Sequence, residues 1–262
     1  MGMTTTWSTD MSLNSTLSYI FNKKSMKLIF SVLDRTDLWP HFRAHYQTQG
    51  ITQFLCITYG PQLDDATMIP SSIPKQSFTG VNDATQHNRV LQQFVSPNEW
   101  CAIADLDEFS IVDEGNSTLV DACRQAQADG CNVISGVMQD RLTKDGHFPA
   151  HLEADIWTQF PLQLDITNRV LGGCKDKVVC LKGWVRVGGG HHYPIKADTV
   201  FPWHIKATVH HFKWWGANPT QFFTHRINEG KGQWYTNELQ RLATHLEQHD
   251  GHIDTSIEQD NV

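Results

Sequence analysis

Apolar residues in this chain arrive in short runs, and helically spaced segments separate them, which is the rhythm of an α/β protein. Lys27-Leu-Ile-Phe-Ser-Val-Leu33 has the length and continuity of a strand buried on both faces. Asp34-Arg35-Thr36-Asp37 follows, and Thr36 or Asp37 is placed to cap a helix over about 38–49 that Gly50 ends. A second strand is expected over 53–59, so the three elements form a β-α-β unit with a right-handed crossover. The proline-punctuated stretch 60–80 reads as a surface excursion. Helical spacing returns over 83–94, before Trp100-Cys-Ala-Ile-Ala104 forms a central strand. A helix over 118–128 and a strand over 132–138 complete another unit. Beyond Gln139 the elements shorten and glycines punctuate them, up to a strand over 207–214 and helices over 219–228 and 236–249.

No internal repeat of roughly 20–50 residues is visible. The pattern divides the chain into a polar leader over 1–26, one α/β domain over 27–254 and a polar tail over 255–262. With 40% hydrophobic and 19% charged residues, its 262 residues suffice for a sizeable core. A net charge of −7 gives no electrostatic reason to expect a nucleic-acid partner. The six cysteines form no C-x-x-C pair and read as free thiols of a reducing compartment. The leader lacks the apolar centre of a secretory signal, and no apolar run reaches the roughly 20 residues of a membrane span. A cytoplasmic location, peripheral to a membrane at most, is the expectation.

Candidate chemistry concentrates where the central strand ends. Asp105-Leu106-Asp107-Glu108 places three acids side by side, and they repel one another unless something positive compensates them. Carboxylate oxygens suit magnesium or manganese, ions that commonly hold substrate phosphates as well as protein; capping or solvated acids are the plainer alternative. Ligands of open α/β sheets bind at the carboxyl ends of the strands, where this cluster stands. In Thr208-Val-His210-His211-Phe-Lys213-Trp214, strand alternation puts His211 and Lys213 on one face and His210 on the other. His211 with Lys213 can coordinate a metal and neutralise a diphosphate; two solvated edge-strand histidines would show the same letters. Gly188-Gly189-Gly190 permits close backbone approach, with His191 and His192 beside it as ligand contacts or as exposed residues of a hairpin loop. Asp140, expected just after a strand, is either a general base or the ion-pair partner of Arg141.

Taken together, these residues resemble GT-A glycosyltransferases related to family 2 and to family 92, over about residues 27–251. Glu99-Trp-Cys-Ala-Ile-Ala-Asp-Leu-Asp-Glu-Phe109 is similar to their "W-x-x-x-x-D-x-D-E-F" segment. Arg35-Thr-Asp37, Phe42-Arg-Ala-His45-Tyr and Gly50 resemble the family's opening segment, with Thr36-Asp37 in place of its Asn-Glu. Gln139-Asp-Arg141 with Asp145-Gly146, then Phe160-Pro161, Lys175 to Val179, Gly190-His191-His192 and His210-His211-Phe-Lys213, follow in family order. The resemblance implies a Rossmann-like GT-A mixed sheet flanked by helices in a single domain. It implies transfer of a sugar from a nucleotide-diphosphate sugar to a glycan or other hydroxyl acceptor, with manganese or magnesium as cofactor and with inversion at the anomeric carbon. Asp107 and His211 become metal ligands and Asp105 a partner ligand that also contacts the donor. Arg35, Lys213 and His191 become further donor-binding residues, and Asp140, as base, and Glu108 the catalytic candidates. Two rivals share the acids: a sugar nucleotidyltransferase, which would need a glycine-rich loop where Asp34-Arg35-Thr36-Asp37 stands, and a calcium-dependent carbohydrate-binding module using the nine tryptophans.

Overall fold

A computed structural model describes residues 26–32, 36–59, 68–78, 84–112, 117–195, 199–216, 220, 224, 227–228 and 232–257. Arg35, the leader up to Ser25, most of the helix expected over 219–228 and the last five residues of the tail lie outside the described residues. The strands are β1 (Met26–Val32), β2 (Ile51–Tyr59), β3 (Lys75–Phe78), β4 (Trp100–Asp105), β5 (Glu108–Ile111), β6 (Val133–Leu142), β7 (Leu162–Leu164), β8 (Asp176–Lys182), β9 (Arg186–Val187), β10 (Pro194–Ile195) and β11 (Ala207–His211). The helices are α1 (Trp39–Thr48), α2 (Ala84–Phe94), α3 (Leu119–Ala128), α4 (Ile156–Gln159), α5 (Ile166–Arg169) and α6 (Gly232–Gln248).

One mixed sheet runs in the order β3-β2-β1-β4-β8-β6-β11-β5, with β7 added to β6, while β9 and β10 pair separately. The first four strands are parallel, β8 is antiparallel to β4 and β6, and β11 runs parallel to β6. The carboxyl ends of β4, β6 and β11 and the amino end of β8 therefore share one edge. This mixed α/β fold with a Rossmann-like parallel half matches the expected class.

The two faces of β1 show why its run is continuously apolar. Leu28, Phe30 and Val32 join α1 (Trp39, Phe42, Tyr46) and α3 (Leu119, Ala122) in one cluster. Ile29 joins Leu55, Ile57 and Ile103 under Val90 and Leu91 of α2 in another. Full burial of such side chains contributes about 1.5–3 kcal/mol each, so helices on both faces hold the parallel strands. A third cluster packs α6 (Leu242) against Leu142, Leu164, Ile166 and Trp214 beside the antiparallel strands.

Several local expectations change. Neither Thr36 nor Asp37 caps α1; a 3₁₀ turn over Thr36–Leu38 leads into it, no side chain caps it, and Pro40 sits in its first turn, where a missing N–H costs nothing. Gly50 does end the helix, with φ of +83° and its N–H on the Gln47 carbonyl at 3.1 Å. Thr118 caps α3 by accepting from Asp121 N at 3.2 Å. The excursion over 60–80 contains β3, which extends the sheet by pairing with Cys56–Tyr59. Strand β6 runs on to Leu142 because β7 pairs with Asp140–Leu142. Asp140 thus lies within a strand rather than after it.

Candidate functional site

Strand β4 delivers Asp105 to the shared edge, where Ser31 of β1, its register partner, donates to Oδ1. Leu106 and Asp107 make the turn into β5. Leu106 goes into the core, while the Asp107 side chain keeps about a quarter of its surface exposed at 28%. Strand β5 returns antiparallel to β11 and sets Glu108 opposite His211, while β6 sets Asp140 beside His211 on the other flank. Gly136 makes this close packing possible: a Cβ there would meet Val179 Cγ2 and Val209 Cγ2, each at 2.8 Å.

The acids find their compensating charge in a residue the sequence did not single out as a site residue. Lys177, at the amino end of β8, is buried with Nζ 2.5 Å from Glu108 Oε1 and 3.5 Å from Asp105 Oδ2. It also donates to the Gly190 carbonyl at 2.8 Å. Burial works to raise the Asp105 pKa, but the Lys177 ammonium, His191 and the Ser31 hydrogen bond together outweigh it and hold the carboxyl well below its usual range. Burial works to lower the Lys177 pKa, and Glu108 and Asp105 reverse that, keeping it charged. Glu108 ends above its ordinary value because burial prevails over Lys177. In the sequence Lys177 shows as a lysine inside the apolar strand Asp176-Lys-Val-Val-Cys-Leu-Lys182, within the family-like segment over 175–179, with no role attached.

A second group forms around His211. Its Nδ1 lies 2.9 Å from Asp140 Oδ1, and its Nε2 lies 3.5 Å from Asp107 Oδ2. Burial works to lower its pKa, and the two carboxylates reverse this, raising it to about 9. Asp107 is pushed up by burial and pulled further down by His211, so it stays ionised. Asp140 accepts from four donors: His211, Thr167 N at 2.6 Å, Thr167 Oγ1 at 2.9 Å and Trp214 Nε1 at 2.8 Å. Buried and saturated in this way, it holds the histidine ring; the expectation that Asp140 is the base is corrected to a positioning role. Glu108, committed to Lys177, is likewise no free acid or base.

His210 faces the other way. Its Nδ1 accepts from Arg141 Nε at 3.2 Å, and its ring meets Trp157 edge-on at 5.2 Å. Lys213 is half-buried with its ammonium 5.4 Å from the Trp214 ring, close enough to help lower the Asp107 pKa. His191 is not exposed, as a hairpin loop would leave it. It is buried with φ of +58°, its ring centroid 4.0 Å from that of His87. Burial first, and then His87, hold it well below the ordinary histidine pKa, so it is neutral. Neither of its ring nitrogens has a hydrogen-bond partner among the described residues, an arrangement that costs about 1–3 kcal/mol per orphaned group. Glu238 on α6 also escaped the sequence reading. It is buried beside Gly173, where a Cβ would lie 3.1 Å from Oε1, and burial raises its pKa against the pull of Lys213, Arg241 and His211.

Among the described residues, no group of three or more His, Cys, Asp and Glu side chains gathers closely enough to hold a metal ion alone. The expected trio of Asp105, Asp107 and His211 is corrected on this point, because Asp105 turns to Ser31 and Lys177. Asp107 and His211 are the pair left that could hold such an ion, and Asp107 supplies the carboxylate through which magnesium or manganese is commonly held while substrate phosphate and water complete the shell. The tryptophans Trp39, Trp100, Trp203, Trp214 and Trp215 are buried, which removes them from any glycan-stacking surface. No described helix is long and apolar enough to cross a membrane. No protein-family model matches this chain, and no curated protein matches it in sequence.

Proposed function

We propose that this protein is a metal-dependent glycosyltransferase that moves a sugar from a nucleotide-diphosphate sugar to an acceptor hydroxyl, with inversion, in glycan or polysaccharide synthesis. The observation that carries the reading is the chain Asp140–His211–Asp107 at the carboxyl edge of the sheet. A histidine whose second nitrogen is fixed on a buried, fully hydrogen-bonded carboxylate is the arrangement that orients metal-binding imidazoles. It leaves Nε2 aimed at a partly exposed aspartate.

Asp107 and His211 would hold manganese or magnesium, which when bound stabilises the charge that builds on a leaving diphosphate. Lys213, on the Asp107 side, adds a second positive charge for that diphosphate. Lys177 keeps Asp105 ionised, so that its outer oxygen can accept from a ribose hydroxyl. The unpartnered nitrogens of His191, close enough to Asp105 to feel its charge, supply further hydrogen-bonding capacity toward the donor. With Asp140 and Glu108 both committed, Glu238, close enough to His211 and Lys213 to feel their charges, is the carboxylate we assign to take the acceptor proton, and a raised pKa suits a base working near neutrality. Four buried cysteines and no disulfide among the described residues support a cytoplasmic enzyme, peripheral to a membrane at most.

The test is a panel of nucleotide sugars scored for nucleotide release with and without manganese. Metal-dependent release from one donor supports the reading. Absence of release from every donor, together with no binding of any nucleoside diphosphate in manganese, would overturn it.

A further inference from the structure

Beside α6 lies a groove of about 950 Å³, within the size range of small-ligand sites. Its walls come from α6, from the end of α5 and from the turn after α6 that holds Asp254 and Ser256. Leu239, Leu242 and Leu246 turn α6 toward the core, and the positions next to them, Arg241, Thr244 and His245, are left on the groove. The chain as a whole carries a net charge of −7, yet Arg169, Arg241, His245 and His249 line this groove against one acid, Asp254, among the described residues.

The turn after α5 fixes the guanidiniums. Arg241 Nη1 donates to the Leu171 carbonyl at 2.5 Å, and the guanidinium fills the space over Gly172, where a Cβ would collide with it. Gly172 holds φ of +69°, so the close approach and the backbone both require glycine here. Arg169, the last residue of α5, has Nε 4.0 Å from Asp165 Oδ2, an oxygen it shares with Lys175 at 3.5 Å. A carbonyl satisfies one N–H of Arg241 and leaves its charge uncompensated. Glu238, whose pKa burial raises against the pull of Lys213 and Arg241, is buried and does not line the groove.

The turn after α6 places the imidazoles. Asp254 N donates to His245 Nε2 at 3.0 Å, so that nitrogen keeps its lone pair and the neutral ring carries its hydrogen on Nδ1, as a donor. The His249 ring lies alongside, with centroids 4.4 Å apart and planes at 32°. Asp254 Oδ1 accepts from Ser256 N at 2.9 Å and from Ser256 Oγ at 2.7 Å, which engages the one acid within its own turn. Donors and positive charge therefore dominate the lining, and the planar fork of arginine matches phosphate and carboxylate oxygens in pairs.

We infer that this groove binds a polyanion, a ligand bearing adjacent phosphate or carboxylate groups. Arg241 and Arg169 take its charge, and His245 adds a hydrogen bond. The site stands independently of the glycosyltransferase reading.

Calorimetry of the metal-free full chain at physiological ionic strength tests the site, with inorganic pyrophosphate, citrate and uncharged trehalose as probes. Wild type is compared with Arg241→Gln, Arg169→Gln and, as a control on α3, Arg124→Gln. Wild type and the control should bind pyrophosphate, citrate or both, and each of the other two variants should bind roughly tenfold or more weakly, the loss expected of a charged hydrogen-bond donor. A preference for pyrophosphate assigns the groove to phosphates, and a preference for citrate assigns it to carboxylates. Arg169→Gln keeps the Leu171 contact of Arg241, so damage to the fold in Arg241→Gln does not decide the outcome. No binding of either anion to wild type, trehalose binding as tightly as the anions, or equal affinity in all four proteins would overturn the site, the last by placing the anion at the carboxylate edge of the sheet.

Discussion

His210 and His211 are adjacent on β11, yet their surroundings drive them in opposite directions. The His210 ring meets Trp157 of an aromatic cluster that also holds His45, Phe109 and Phe212, with Trp157–Phe212 and Phe109–Phe212 edge contacts at 5.1 and 4.8 Å. Burial, and then Arg141, push its pKa down to about 3. The His211 ring is as deeply placed, but two carboxylates flank it and its pKa rises to about 9. Burial is common to both, so the difference comes from neighbours. One side of the strand is an aromatic core that keeps histidine neutral, and the other is a charged edge that keeps it cationic until something displaces its Nε2 proton.

Removing Asp107 should have the largest effect on the charged side. Asp107→Ala should reduce metal-dependent nucleotide release to background while circular dichroism stays that of wild type, because the side chain is partly exposed and supports no core packing. Retained turnover would place the chemistry elsewhere.

Lys177→Met comes next. It strands Glu108 and Asp105 without their buried counter-charge, and urea unfolding should show a loss of about 3–5 kcal/mol. A loss under 1 kcal/mol would mean that the acids do not need Lys177.

Substituting the two histidines separates the sides directly. His211→Ala and Asp140→Asn should each weaken manganese-supported donor binding by roughly 10–100-fold, the range for disturbed ligands and their supports. His210→Ala should leave donor binding within about twofold and instead cost roughly 1–3 kcal/mol of stability, since the buried Arg141 Nε loses its acceptor. Equal binding losses in the two histidine variants would erase the distinction.

The smallest effect is a change of slope with pH in metal-free protein. His45, pushed by burial to about 4, and His210 at about 3 bind protons less readily folded than unfolded. Their contribution is present above about 6.5, the unfolded histidine value, and is lost as pH falls toward those folded values. For His211 the folded pKa lies above the unfolded one, so its contribution is full below about 6.5 and lost as pH rises through about 9. Urea midpoints should therefore decline from pH 6.5 to 9 in wild type and stay flatter in His211→Gln.

The parallel half of the sheet was legible because strands buried on both faces read as unbroken apolar runs, as in Leu28–Phe30 and Cys101–Ala104. Strand alternation likewise separated His210 from His211, because the period of two survives whatever lies opposite. Pairing partners distant in sequence decided the rest. Lys75–Phe78 is a strand only because β2 lies beside it, and its half-buried residues show no alternation. Asp140 reads as a base or as the ion-pair partner of Arg141 until Thr167 and Trp214 arrive from elsewhere in the chain. Lys177 reads as an intrusion into an apolar strand until the sheet order brings β8 beside Asp105 and Glu108. Glu238 lies on a helix whose pattern announces only an amphipathic face.

The central claim is that His211 exchanges its Nε2 proton for a metal ion shared with Asp107. Calorimetry of manganese binding at pH 8 in the presence of a nucleoside diphosphate, repeated in buffers of different ionisation enthalpy, counts the protons released. The account predicts about one proton per ion in wild type, because His211 is protonated below about 9 and metal binds only the neutral ring. It predicts weaker binding without that release in His211→Ala. Equal affinity in both proteins, with no buffer dependence in wild type, would contradict it.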